Sequence, residues 1–551
     1  MAGLFETPQV PRLPTLLAEI RSGAILIPDF QRPLEWDDDR RLLLLDSVAK
    51  QMPIGAFLVW RTRDHTLRCL DTLGAFHLPK EAGPQIPRAY LLDGHQRLAT
   101  LFAALSWTDD PSPLHQQGVR WPIYYDLEAE PDDRAFRFNS RKGDPPVTWL
   151  PLYTLFEPKR LFAHQKRLLE AARDGETQNQ RLVERAEALA ERFKDYQIPV
   201  VPLVSEDLSL VTESFVRVNS EGKRMRETNM VRALSYSPGR DIERELEALK
   251  AEFAPHGWGN IDDQLLLNVL KAHWRLNVLD TQPRKLFDQL KEDGYEQTLE
   301  TLKQSVGWAI DILAAIGVRG PCALPYANQL IALADAAWQL QQPQLDATQT
   351  ERLHSWFWAT TYGEYFTAMS GRRIRDAIDY LHGILTKGRD PVPPDLVREV
   401  SPIRAFNFRA TRTKALMLLT TIRIEDLDLR AQTQSRLGAL GNEAVQKLFP
   451  AADSTRAENR IVALPQELEA LRMSLNCLPT LFDGLENVPP QNRQRLLTRY
   501  LVPEDAPHLH LSRATAEMEA ILESRRINMD TLERQFLASL GLVLRQSDDD
   551  S

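Results

Sequence analysis

Residues 89–105, AYLLDGHQRLATLFAAL, change hydrophobic period halfway along. Ala89 to Leu92 form an unbroken apolar run, the mark of a buried strand. Leu98, Leu101, Phe102 and Leu105 then recur at i, i+3, i+4 and i+7, one buried face of a helix. Asp93-Gly94-His95-Gln96-Arg97 fill the corner between them. The same reading predicts strands at Ala24–Ile27, Ile54–Trp60, Leu67–Leu73 with Phe76, Pro122–Leu127 and Ile198–Val204. A helix over 40–52 buries Leu42, Leu45, Val48 and Ala49. Residues 161–195 read as two helices broken at Asp174-Gly175, and 210–235 as helical around Glu221-Gly222. From about 240 to 390 helical periodicity dominates, as in Glu243–Phe253, Asp263–Trp274, Tyr295–Ile316 and Leu324–Gln339. DPVPPD (390–395) separates this from a mostly helical 396–551. The prediction is an α+β chain: a mixed α/β region 1–235 with a helical insertion near 161–195, a helical domain 236–390 and a helical C-terminal domain 396–551.

A length of 551 residues accommodates three or four domains of about 150 residues each. Hydrophobic residues make up 43% and charged residues 26%, a globular balance. No stretch approaches the roughly 18 uninterrupted apolar residues of a membrane helix. MAGLFETPQVPR has no basic segment followed by an apolar one, so no signal peptide is expected. Cys69, Cys322 and Cys477 form no CxxC pair, consistent with a reducing cytoplasm. A net charge of −9 excludes a uniformly basic nucleic-acid coat but leaves room for a local basic groove.

The corner has the chemistry of an anion site. A helix N-terminus presents unpaired N–H groups at the positive end of its dipole. Gly94 permits close backbone approach, Gln96 and Arg97 suit phosphate oxygens, and Asp93 suits a divalent metal or a ribose hydroxyl. The same residues also fit a plain helix cap with a surface ion pair, and the corner alone does not choose.

Two further stretches change the picture. Pro28-Asp29-Phe30-Gln31-Arg32-Pro33-Leu34-Glu35-Trp36 precedes the corner, and Phe215-Val216-Arg217-Val218-Asn219-Ser220-Glu221-Gly222 follows it. With LLDGHQRL they resemble, in order, the P-x-x-Q-R-x-x-x-W, D-G-Q-Q-R-x-x-T-L and F-x-x-x-N-x-x-G motifs of the GmrSD-type N-terminal domain, His95 standing where the family has Gln. SVAKQMPIGAFLVW is similar to the family's S-I-x-x-x-x-P-I-G segment. The resemblance spans about residues 1–235 and extends to the ParB/sulfiredoxin superfamily, whose glycine-arginine corner binds nucleoside triphosphate. No cysteine stands at the corner, which sets the chain apart from sulfiredoxin. The resemblance implies that Gln31, Arg32, Gly94, Gln96, Arg97 and Asn219 bind nucleotide, with Mg²⁺ on Asp93. Asp93 and His95 are the catalytic candidates; a lone histidine also fits a structural role. The implied function is a nucleotide-binding, NTP-hydrolysing, DNA-sensing protein of a prokaryotic antiviral or restriction system.

Members of this family often carry a C-terminal HNH-like nuclease domain with an H-I-x-P segment. Here Val445-Gln446-Lys447-Leu448-Phe449-Pro450 and Glu458-Asn459-Arg460-Ile461 resemble that pattern, with Lys447 in the histidine's place. No histidine lies between His382 and His508, and no carboxylate or cysteine cluster of useful spacing accompanies His508-Leu509-His510. An HNH site needs a water-activating histidine and metal ligands, so a nuclease-inactive domain is expected. Arg404, Arg409, Arg412 and Lys414 interleave with Phe406 and Phe408, a pattern that suits a phosphate backbone or an ordinary ion-paired helix face. DNA is the expected partner, together with a separate nuclease or other defence subunits and a second copy of the chain. Two alternatives stand beside this reading: a non-catalytic DNA-binding scaffold, and a nuclease with an unrecognised site.

Overall fold

The computed structural model describes residues 6–29, 36–73, 76–79, 87–107, 121–130, 134–139, 143–171, 176–207, 210–211, 214, 217, 242–280, 285–286, 289–290, 294–341, 344–403, 405–475, 490–504, 506 and 514–545. The chain divides into two compact units, 1–242 with 281–287, and 243–280 with 288–551.

The first unit contains α1 (Leu13–Ser22), α2 (Asp38–Ala49), β1 (Phe57–Thr62), β2 (Thr72–Leu73), β3 (Phe76–His77), β4 (Arg88–Asp93), α3 (His95–Leu105), β5 (Ile123–Asp126), β6 (Phe136–Phe138) and β7 (Trp149–Pro151). Helices Pro158–Glu170 and Glu176–Asp195 and strand β8 (Val200–Val204) follow. The central sheet has the order β4-β1-β8, with β1 antiparallel to β4 and parallel to β8. Both faces are covered, which is why its strands are apolar runs rather than alternations. Phe57, Val59, Ala89 and Leu91 enter a large core with α1, α2 and α3. Leu58, Trp60, Tyr90 and Leu92 enter a smaller core on the other face with Leu26, Leu67 and Leu203. The predicted face of α3 is fully inside: Leu98, Leu101, Phe102 and Leu105 are all buried.

The expected strand at 24–27 contributes only a parallel bridge between Leu26 and Tyr90, followed by a bridge from Pro28 to Cys69. Pro28 has no N–H to extend a ladder, so the segment stays an edge. The helical pair predicted over 161–195 is present as Pro158–Glu170 and Glu176–Asp195.

The second unit is helical around Ala327–Gln339. That helix packs on Asp263–His273, Tyr295–Ile316 and Gly371–Lys387. Its sequence ANQLIALADAAWQ is nearly all small or apolar, so it can be enclosed on every side. The 390–395 stretch, expected to separate two domains, joins helices that pack together. Ala347–Tyr362 contacts Thr411–Ile422, and Trp358 meets Phe536 edge-on with ring centroids 5.0 Å apart. Large aromatics on both sides of the proline-rich stretch share one core, which its composition does not reveal. Across the described residues the chain is α+β, a mixed-sheet region followed by a helical remainder. No helix among them is long and apolar enough to cross a membrane.

Candidate functional site

The strand-to-helix corner is built from the glycine outward. β4 ends at Asp93, Gly94 turns with φ +104°, and α3 starts at His95. A Cβ on Gly94 would lie 2.5 Å from Cδ1 of Phe57, so only glycine fits. No side chain caps α3 at Gly94, and the first intrahelical bond runs from the Leu98 N–H to the Gly94 carbonyl at 2.8 Å. Gly94 and His95 are both buried, and the uncapped α3 N-terminus packs closely against the Phe57 ring.

Arg97 is turned toward the protein. One Nη1 proton goes to the Ile54 carbonyl at 2.7 Å; Nη2 donates to the Ala56 carbonyl at 3.1 Å and to Asp93 Oδ2 at 2.8 Å. The guanidinium also lies 5.0 Å from the centroid of the Phe57 ring, and its side chain is 16% exposed. Gly55, at φ +86°, lets it in: a Cβ there would meet Nη1 at 2.6 Å. The Pro53-Ile54-Gly55 segment and the Asp93–Arg97 corner thus interlock. Gly55 and Phe57 are site residues that the sequence did not single out, although both lie in the SVAKQMPIGAFLVW stretch that carries part of the resemblance.

His95 is 6% exposed, and burial pushes its pKa down to about 4. The imidazole is neutral near pH 7, and among the described residues its buried Nδ1 has no hydrogen-bond partner. Gln96 is half-buried, and its carbonyl accepts from Thr100 Oγ1 at 2.9 Å. Asp93 carries its ion pair to Arg97 at a partly exposed position. Among the described residues no three His, Cys, Asp or Glu side chains gather as a metal site. Gln31, Arg32 and Asn219 lie outside the described residues. Asp29, just before the first two, follows a segment that runs parallel to β4, toward the Asp93 end of the sheet.

The basic stretch after 403 does not form the expected row. Arg404 lies outside the described residues, and Arg409 is exposed. Arg412 is largely buried, with Nη2 3.7 Å from Oε1 of the buried Glu533. Lys414 Nζ donates to the Leu324 carbonyl at 3.0 Å and sits 5.7 Å from the Phe408 ring, and burial lowers its pKa. Arg412 and Lys414 open a helix whose Ala415–Leu419 stretch is wholly buried, and that packing draws both cations inward.

The 445–462 region is a hairpin, Val445–Lys447 paired antiparallel with Arg460–Val462, followed by the helix Pro465–Ser474. The fully buried Asn459 holds the intervening loop. Its Oδ1 accepts from the Phe449 N–H at 2.8 Å, and its Nδ2 donates to the Phe449 carbonyl at 3.1 Å. Lys447 Nζ donates to the carbonyls of Pro450 and Ala452 at 3.3 and 3.2 Å. His508 and His510 lie outside the described residues.

The first unit is a mixed-sheet α+β domain whose α3 starts at Gly94 without a side-chain cap, and its class follows from comparison with known families. Residues 13–236 match the family model described as GmrSD restriction endonuclease, N-terminal domain. The chain carries a GmrSD-type N-terminal domain, which points to a protein of a restriction or defence system. No curated protein matches the chain.

Proposed function

We propose that the Asp93–Arg97 corner binds and hydrolyses a nucleoside triphosphate within a DNA-sensing restriction or defence protein. The observation behind this reading is the α3 N-terminus at Gly94, which no side chain caps and whose first N–H groups and dipole suit an anion. The backbone at Gly94–Gln96 and the Gln96 side chain receive phosphate oxygens, and Gln31, Arg32 and Asn219 complete the pocket. Arg97 acts as a positioning residue, fixing Ile54–Ala56 and Asp93 around the corner, rather than as a phosphate ligand. His95, neutral and poor in basicity, orients a water more readily than it takes its proton. Bound Mg²⁺ would neutralise phosphate charge, and the one corner carboxylate, Asp93, suits an ion that keeps most of its contacts to water and phosphate.

The test is binding and turnover of fluorescent ATP, GTP and CTP analogues with Mg²⁺, with and without DNA, for the wild type and Gln96→Ala. Binding of at least one nucleotide, weakened about tenfold in the variant, supports the reading. Absence of binding overturns it.

A second reading is a non-catalytic subunit that recruits a separate nuclease. It draws on the 445–474 hairpin-and-helix unit, where Lys447 is engaged with loop carbonyls in the place of an activating histidine. The unit suits a diverged, inactive HNH-like domain. Nucleotide binding without turnover, and no plasmid nicking, favours this reading; EDTA-sensitive nicking favours an active nuclease.

A further inference from the structure

Trp107, Trp121 and Tyr153 come from three separate segments of the first unit and meet at one place. Trp107 packs edge-on to Tyr153 at 4.5 Å between centroids, and Trp121 stacks on Tyr153 at 5.5 Å and 28°. All three are half-buried. Into this group the helix Pro158–Glu170 inserts Arg160, whose guanidinium lies 3.5 Å from the centroid of the Trp107 ring. A flat cation therefore already occupies an aromatic face.

The rest of that helix is unusual for a chain of net charge −9. It carries four cations, Lys159, Arg160, Lys166 and Arg167, against one carboxylate, Glu170. Lys159, Lys166 and Arg167 are exposed, and Phe162 stands 69% exposed among them. The Lys166–Glu170 pair, at 3.6 Å and largely in water, neutralises little of this. Glu157, exposed just before the helix, is the nearest other acid along the chain. Cations that track a backbone beside aromatic faces that accept bases are the two components of single-strand recognition.

We propose that this helix and aromatic group form a DNA-binding surface that takes an unpaired base, resting on the DNA-sensing reading above. The base stacks on the face of Trp107 in the place of the Arg160 guanidinium, with Tyr153 and Trp121 backing that ring. Arg160 then turns to a neighbouring phosphate, which it can hold bidentately, while Lys159, Lys166 and Arg167 follow the backbone. This surface replaces the 404–414 stretch as the DNA contact. It also stands at the far end of α3: the helix begins at the nucleotide corner and ends two residues before Trp107, about 16 Å of rigid helix between them.

The test is fluorescence anisotropy of a fluorescein-labelled 20-nucleotide single strand, and of the duplex of the same sequence, at several salt concentrations. The proteins are the wild type, the Lys159→Glu/Lys166→Glu double variant and Trp107→Leu, with light scattering to follow oligomeric state. The wild type binds the single strand more tightly than the duplex. Charge reversal, confined to exposed side chains, weakens single-strand binding at least tenfold and flattens the log–log salt slope by about 1.4. Trp107→Leu weakens it by about fivefold or more. If the wild type binds DNA and both variants bind equally well, this surface is wrong and the DNA-sensing reading stands. If charge reversal changes only the oligomeric state, the surface meets a second copy of the chain and the proposal fails. If the wild type binds neither DNA, the DNA-sensing reading fails with it.

Discussion

Arg97→Ala is the most informative single change at the corner, because the two possible uses of its guanidinium predict different outcomes. The side chain makes three charge-assisted hydrogen bonds, to the carbonyls of Ile54 and Ala56 and to Asp93. Hydrogen bonds to charged groups contribute about 1.5–3 kcal/mol each. The bonds share one side chain and part of it reaches water, so they do not add fully, and Asp93 can rehydrate once released. A loss of about 3 kcal/mol is expected, localised where the Ile54–Ala56 segment leads into β1. A chain with two compact units need not unfold in one step, so the readout should be local. Native-state hydrogen exchange at Phe57 serves: its N–H donates to the Pro199 carbonyl at 2.8 Å. A loss of about 3 kcal/mol speeds exchange through opening roughly 150-fold. Arg97→Lys, with one ammonium for three acceptors, should fall between. The reasoning is refuted if Arg97→Ala leaves exchange within about fivefold of wild type while abolishing nucleotide binding, because the guanidinium would then be used on the ligand.

Other perturbations test the remaining structure. Gly94→Ala forces a left-handed φ on a residue with a Cβ 2.5 Å from Phe57 and should cost about 2–4 kcal/mol, seen as faster hydrogen exchange at Phe57 and Leu98. His95 and Asp335 should give opposite pH dependences. His95 is depressed to about 4, so its contribution is present above the unfolded value of 6.5 and lost as pH falls through about 4; His95→Gln removes that slope. Burial raises the Asp335 carboxyl to about 6 despite the nearby Arg275, so its contribution is present below the unfolded value of 3.8 and lost as pH rises through about 6. Asp335→Asn should therefore stabilise the second unit at pH 8, as measured by hydrogen exchange in Ala327–Gln339. Arg412→Ala takes the cation from the buried Glu533 carboxylate and should destabilise the second unit by about 3–5 kcal/mol, read by hydrogen exchange in Thr411–Ile422, without a specific loss of DNA affinity.

The elements around the corner were legible because their signals are local. Period 3.6 across 98–105 identified the buried face of α3, and the apolar run before it identified β4. The hairpin at 445–462 was not legible, since its strands are three residues long and the region around them is helical; the asparagine that holds its loop stands out only as part of a motif. The destinations of long polar side chains were not legible. Arg97 was read as reaching outward to phosphate, yet two of its three acceptors lie about forty residues earlier, and Gly55 admits it only once β1 and β4 are paired. Arg412 and Lys414 looked like a surface row; their partners, Glu533 and the Leu324 carbonyl, are about a hundred residues away.

Sequence alone determined the order of elements, the glycine at the corner and the motif spacing that marks the N-terminal domain, because backbone preference and hydrophobic period act over a few residues. Tertiary structure decided which cations are engaged inside and which face water. It also brought Trp107, Trp121, Tyr153 and Arg160 together from a span of more than fifty residues. Ion pairing, ring stacking and burial depend on groups that approach only after the chain has folded, and no local pattern encodes which partner arrives.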